Sequence, residues 1–588
     1  MRLKKYIGAA LVVLATATSC QKDFLDRAPE SNISDAEFWK TQNDMQLYVN
    51  NFYNNYLPTY DGFQTQGIYG LDADQGSDNM IKMAYDRNNL NGERTVPTSG
   101  GGWSWGNIRN INYFLANYEK SPESFEKIQQ YVGEALYFRS LLYFDMMKNF
   151  GDLPWIDKPL TPADTELLQS PRLSRSVIVD NIIADLDKAA QYLPAKGNSR
   201  PNRVYKEVSM ALQTRIALYE GTWEKYHAGT PFGVTGSNGD KYLQKAAATA
   251  QAIMATGTFD LDNTATGAVK GYWSIFNRAD HTSSKEVMFW RRYDVAANRV
   301  NKWAAYGTSG NGRGFTKSLI DDYLAKDGLP ISASPLYQGD ATLINVVTNR
   351  DPRLNQVMYI NDGNHPITNN RPGVADVPFL FPSFNAAATE DKSATGYQSY
   401  KGTDPNYAKQ LNQLGDAGLI FFRYAEVLLN LAEAKAELGT LTQADVDLTI
   451  NKLRARVGMP GLVIGSIVAD PNWKFPALSP VINEVRRERR VELAAEGFRH
   501  DDIWRWAAAD ELIVGWKPTG AKKAQFVGVV TPAAALNGYP ANAAGYIELY
   551  QNVPAMVNGY QFKINRDYLL PIPLDQITLV NYKQNPGW

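Results

Sequence analysis

The chain has 588 residues, with 60 Lys and Arg against 61 Asp and Glu, a net charge of −1 and a single cysteine. That balance excludes the basic excess that draws proteins to nucleic acid or anionic lipid, and one cysteine excludes an internal disulfide, so packing alone must hold the fold. The length allows large cores and is expected to divide into substructures, and 33 Tyr and 13 Trp supply apolar faces with polar tips for cores or binding surfaces.

In chain order, Arg2, Lys4 and Lys5 precede an uncharged run from Ile7 to Ala17, then Thr18, Ser19 and Cys20. A basic start, a short apolar core and small residues at a cut site form a secretory signal, too short to span a bilayer. Ala17-Thr18-Ser19-Cys20 resembles the site at which bacterial lipoproteins are cut ahead of the cysteine that takes the lipid. The expectation is a signal peptide over residues 1–19, lipid on Cys20 and a tether over 20–33. No later stretch reaches the ~18 uncharged apolar residues of a membrane span.

Residues 34–257 read as a helical region. Ser34 and Glu37 have capping-box spacing and predict a helix running to about Tyr56. Three segments dense in Ala, Leu and aromatics then each run to a glycine: Tyr131 to Gly151, Val208 to Gly221, and, further on, Phe422 to Gly439. Each is followed by a second amphipathic stretch: Ser174–Leu193, Lys241–Thr256 and Gln443–Val457. Glycine is expected to close each first helix with a left-handed turn. A fourth pair is predicted from a helix over Asn107–Tyr118 and one opening at Pro122. Irregularly spaced helix pairs predict a mainly α fold, a tetratricopeptide-like scaffold without a strict repeat.

Residues 258–588 begin differently. The stretch 258–418 is rich in Gly, Asn, Pro and Thr, with short apolar runs such as Val287–Trp290, and 510–565 is similar. Loops on a rigid scaffold are where binding residues collect, so a large loop-rich ligand-binding face is expected here.

Three motifs invite catalytic readings. Gly102-Trp-Ser104-Trp-Gly106 fits the serine-hydrolase elbow, but the residues before it are polar and glycine-rich where a buried strand is required. The glycines at 307, 310, 312 and 314 lack the Lys-Ser or Lys-Thr of a phosphate loop. Glu488, Glu492 and Glu496 lie four apart among Arg486–Arg490 and Arg499, a spacing that suits either paired carboxylates for glycosidic cleavage or an ion-pair network holding a helix to its neighbours, and we favour the latter. Asp72, Asp74, Asp78 and Asn79 offer hard oxygen ligands of the kind calcium prefers, but without EF-hand spacing or a bidentate glutamate at the end the default reading is a solvated acidic turn. No cofactor is expected.

Taken together, several segments resemble the SusD/RagB family of surface lipoproteins. They include Asp23-Phe-Leu-Asp26 with Pro29, Phe38-Trp39, Trp105-x-x-Ile108-x-x-Ile-Asn112, and Gly133-Glu-Ala-x-x-Phe-Arg139 with Tyr143-Phe144. Phe150-Gly-Asp-x-Pro154, Arg350-Asp-Pro-Arg353, Arg423-Tyr-Ala-Glu-Val-Leu-Leu-Asn430 and Asn451-x-x-Arg454 follow. The last are Glu488-Arg-Arg-x-Glu492-x-x-x-Glu496-Gly-x-Arg499, Asp502-x-x-Arg505-Trp506, Leu569-Leu-Pro-Ile-Pro573 and Gln584-Asn-Pro-Gly-Trp588. The resemblance implies a lipid-anchored protein on the outer face of an outer membrane that binds oligosaccharide or polysaccharide without chemistry. It also implies a partner, a SusC-like TonB-dependent transporter over which the protein sits as a lid.

Sugar rings pack their C–H faces on aromatics and satisfy their hydroxyls with polar side chains. The expected platforms are Trp290, Tyr293, Trp303 and Tyr306, with Trp103 as a further one. Asp78, Asn79, Arg87 and Arg313 are the expected polar contacts. Two other readings stand beside this one: a peptide-binding relative of the same uptake system, and a secreted glycoside hydrolase using Glu492 with Glu496, or Ser104.

Overall fold

The computed structural model describes residues 38–59, 74–199, 201–262 and 271–588. The capping box predicted at Ser34 and Glu37, the lipid site Cys20 and the aspartate Asp72 lie outside those residues. The longer helices are α1 (Gln42–Tyr56), α2 (Gly106–Asn117), α3 (Phe125–Phe150), α4 (Arg175–Tyr192), α5 (Lys206–Tyr226) and α6 (Asp240–Ala255), all in the first half of the chain. In the second half come α7 (Tyr424–Glu437), α8 (Gln443–Leu448), α9 (Ile450–Arg456), α10 (Pro480–Glu492) and α11 (Arg499–Arg505). Helix α1 opens at Thr41, whose hydroxyl accepts from the Asp44 amide while the Asp44 carboxylate accepts from the Thr41 amide at 2.7 Å. This reciprocal cap satisfies two otherwise orphaned donors.

Helices α3 to α6 pack in succession, each on the next, and α7 continues the array by lying on α6, α5 and α10. The fold is mainly α, as expected. The predicted fourth pair does not exist as such: the helix expected to open at Pro122 is the beginning of α3, which runs unbroken through the Tyr131 segment. The predicted Gln443–Val457 helix is broken into α8 and α9 at Thr449, whose φ of −123° and ψ of −89° leave the helical region.

Glycine plays two different roles in the helices. Gly151 and Gly439 stand just past the ends of α3 and α7 with φ of 70° each, though the ψ of −113° at Gly151 departs from the left-handed helical turn. Gly221 does not terminate α5 but lies inside it. A β-carbon there would stand 2.8 Å from Leu243 Cγ and 2.9 Å from the Leu243 nitrogen, so its lack of a side chain is what lets α6 approach.

Among the described residues there are three two-stranded antiparallel ladders, two of which tie distant segments together. β1 (Met80–Lys82) pairs with β3 (Arg313–Phe315), and β2 (Val287–Arg291) with β6 (Leu419–Arg423). β4 (Pro366–Thr368) pairs with β5 (Val377–Pro378). The glycines around 310 serve this crossing: a β-carbon on Gly310 would sit 2.2 Å from the backbone at Lys392 and Ser393, and one on Gly314 2.2 Å from Thr395 Oγ1. They let two chain segments touch and build no phosphate cradle. One hydrophobic core runs from Trp39 to Ile572, and a small second cluster joins Ala432, Ala436, Val446, Ile450, Leu462 and Val485. Among the described residues no helix is long and apolar enough to cross a membrane.

Candidate functional site

The Arg/Glu motif is the ionic centre of the scaffold. Arg353 donates to Glu488 at 2.6 Å and Glu492 at 2.9 Å, and Arg423 to Glu492 at 2.6 Å and Glu496 at 2.7 Å. Arg456 reaches Glu492 at 2.5 Å and Glu286 at 2.9 Å. Glu492 is fully buried. Burial alone raises its carboxyl, but Arg456, Arg423 and Arg353 outweigh that and hold it far below the usual carboxylate range. A group so held donates no proton, which removes it as a catalytic acid. The three glutamates also do not share one helix face: α10 stops at Glu492, Ala495 takes a φ of 65°, and Glu496 lies beyond the turn. Ser104 follows Gly100, Gly101 and Gly102, all at positive φ, with no strand before it. The hydrolase elbow is not built.

The predicted binding residues do not assemble. Trp103, Trp290, Tyr293 and Trp303 are each at most 7% exposed. Trp303 spends its indole N–H on the Gly402 carbonyl at 3.0 Å, and Trp103 packs edge-on against Trp105, Phe150 and Tyr582. These rings are core. Tyr306, on the same helical turn as Trp303, keeps partial exposure. Asp78 bridges Arg490 at 2.8 Å and Arg499 at 2.6 Å; burial raises its carboxyl, and the two arginines pull it far below its usual value. Asn79 donates to Asp74 and accepts from Arg490, each at 2.7 Å. Asp74 in turn accepts from the Ala495 and Gly497 amides. These oxygens are engaged by arginines and amides in the interior, which corrects both the reading of a solvated acidic turn and the expectation that Asp78 and Asn79 meet a sugar. Arg313 is buried beside the Asn311 carbonyl, and burial pushes it down to about 9. Arg87 is the exposed exception, pairing with Glu93 at 2.8 Å.

Two clefts instead flank the end of α1, between Tyr53 and Thr59. The larger, about 810 Å³, is lined by Asn54, Asn55, Tyr56, Asn89, Arg94, Asp145, Lys148, Asn149, His500, Asp501 and Asp567, with Trp504 and Tyr568 beneath. Lys148 sits 2.9 Å from Asp501 and 3.4 Å from Asp145. Burial lowers Lys148, but the two carboxylates outweigh it and keep the ammonium charged. Asp501 is held low by Lys148 and His500 against the burial that raises it, whereas burial dominates at Asp145 and raises it. The His500 ring stacks on Trp504 at 3.8 Å. The lining thus offers amide donors and acceptors, a fixed cation and carboxylates in one concavity, the inventory a polyhydroxylated ligand requires.

The second cleft, about 480 Å³, lies on the other side of Tyr53 and Leu57 and is lined by Trp290, Arg291, Arg292, Asp294 and Arg299. Trp290 is the one predicted platform that borders it. Sequence reasoning missed the rest. The doublets Asn54-Asn55 at a helix end and Arg291-Arg292 at a strand end are visible in the sequence, but nothing local marks Lys148, Asp501 or Asp567 as neighbours.

The fold and its polar clefts define a helical-repeat scaffold of the ligand-binding kind. The model described as "SusD family" matches residues 274–588, and the one described as "Starch-binding associating with outer membrane" matches residues 23–218. The chain belongs to the SusD family. Among curated proteins, SusD-like protein P38 of Formosa agariphila is 24% identical over 86% of this chain and 91% of its own. A SusD-like carbohydrate binding protein of Bacteroides fragilis superposes with a TM-score of 0.70 at 22% identity, over 92% of this chain and 98% of its own. A second SusD-like protein from that organism gives 0.69 at 23% identity, over 96% and 100%.

Proposed function

We propose that this protein is a cell-surface glycan-binding lipoprotein, held to the outer membrane through lipid on Cys20, that captures oligosaccharide or polysaccharide and delivers it to a SusC-like TonB-dependent transporter. It binds and does not cleave. Family membership supports carbohydrate binding and outer-membrane association, and the observation that carries the reading is the 810 Å³ cleft beside α1. Its asparagines, carboxylates and lysine satisfy hydroxyls, while Tyr56, half-buried at the end of α1, offers a ring face. The acidic motif that most resembled a catalytic pair is neutralised by arginines.

Affinity electrophoresis through a panel of polysaccharides tests this. Retardation by at least one glycan is expected, weakened about tenfold by Asn54→Ala with Asn55→Ala, the loss of a hydrogen-bonding pair. Retention of peptides and of no glycan would replace the ligand class. Release of reducing sugar by the purified protein would overturn the non-enzymatic reading.

A further inference from the structure

The smaller cleft has a charge character of its own. The whole chain carries a net charge of −1, yet among the described residues this cleft gathers Arg291, Arg292 and Arg299 against one carboxylate, Asp294. Each arginine is placed by local structure. Arg291 ends β2 and donates to the carbonyls of Tyr53, Leu57 and Pro58 at 2.8–3.0 Å, which fixes it at the wall beside α1. Past the strand, the chain turns back on itself, the Asp294 and Arg299 backbones bonding in both directions at 2.6 and 2.9 Å. That turn carries Arg299 to the mouth, exposed and without a carboxylate in ion-pair range among the described residues. Arg292 meets Asp294 at 3.2 Å while staying 48% exposed, a pair that water largely screens. Asn202 also lines the cleft.

Guanidinium groups are planar forks suited to two-oxygen anions, and they bind carboxylate or sulfate more tightly than neutral hydroxyls. We propose that this cleft is a subsite for the acidic substituent of a glycan, a uronate carboxylate or a sulfate ester, with Arg292 and Arg299 grasping the anion. The proposal rests on the glycan-binding reading above and assigns that reading a substrate class: acidic rather than neutral polysaccharide.

The test compares retention by polygalacturonate and alginate (carboxylate), carrageenan (sulfate), and two neutral counterparts, fully methyl-esterified pectin and agarose. Retention by an acidic polysaccharide above its neutral counterpart is expected, and which acid retains distinguishes uronate from sulfate. The exposed pair Arg292→Ala with Arg299→Ala, checked for native circular dichroism, is expected to weaken that retention about tenfold or more, while Lys326→Ala, removing a surface cation elsewhere, leaves it unchanged. Equal retention by neutral counterparts, or acidic retention that survives the double substitution, overturns the subsite while leaving the glycan reading standing. Retention by no polysaccharide of either kind defeats the glycan reading itself and this proposal with it.

Discussion

Arg353, Arg423 and Arg456 reach Glu492 from three separate segments of the chain, and each also holds a second carboxylate. Charges buried this deeply are tolerable only because each is answered, and removing one partner strands the others. Arg423→Met is therefore expected to lower stability by about 3–5 kcal/mol in urea unfolding, although the side chain fits the space. Trp303→Ala follows from the same kind of evidence. With its ring buried and its N–H given to Gly402, the substitution is expected to cost about 3–5 kcal/mol of stability. Glycan affinity of the folded protein should stay within twofold, in contrast to a stacking platform, where affinity falls while stability holds.

At the scale of the helix, packing sets the consequence of a substitution more than propensity does. Gly221 and Gly439 both stand near the ends of helical segments rich in alanine, yet their surroundings differ. Among the described residues nothing lies within 4 Å of where a β-carbon on Gly439 would stand, so Gly439→Ala meets only the strain of a φ of 70° and should cost about 1 kcal/mol. At Gly221 the same methyl group collides with the Leu243 backbone of α6, which cannot swing aside as a side chain end would. Gly221→Ala should cost about 1–3 kcal/mol, and thermal unfolding of the two variants side by side measures the difference.

For the molecule as a whole, burial writes a pH dependence into stability. His281 packs edge-on to Trp290, neither of its ring nitrogens has a hydrogen-bond partner among the described residues, and burial with nearby Arg278 lowers it to about 4 against the pull of Asp262 and Asp280. A histidine neutral when folded and protonated when unfolded contributes stability that is full above about pH 6.5 and is lost as pH falls through its folded value. His227, lowered to about 3 by burial, acts in the same direction. Glu224, raised to about 7 by burial and by Glu220, acts oppositely, its contribution disappearing as pH rises through that value. The His281→Leu variant should accordingly lose less stability than the native protein between pH 6.5 and 4.5. Urea midpoints across that range test this, and parallel curves for the two proteins would exclude the histidine as a contributor.

By itself the sequence determined the helical array and the family. Helix periodicity and the positions of Gly151 and Gly439 as terminators are local signals, and the family is legible because several motifs, the Arg/Glu one among them, occur in one order. It also favoured an ionic network over a catalytic pair at Glu488 to Glu496, and the structure agrees. Only the tertiary structure decided which aromatics face water. Trp103, Trp290 and Trp303 look as available in the chain as any loop tryptophan, but whether a ring is covered depends on remote segments closing over it, Tyr582 on Trp103 and Gly402 on Trp303 among them. The clefts were hidden for the same reason. Asn54, Lys148, Asp501 and Asp567 become one surface only when α1, α3, α11 and the C-terminal segment pack together, and no periodicity in a one-dimensional string records that meeting.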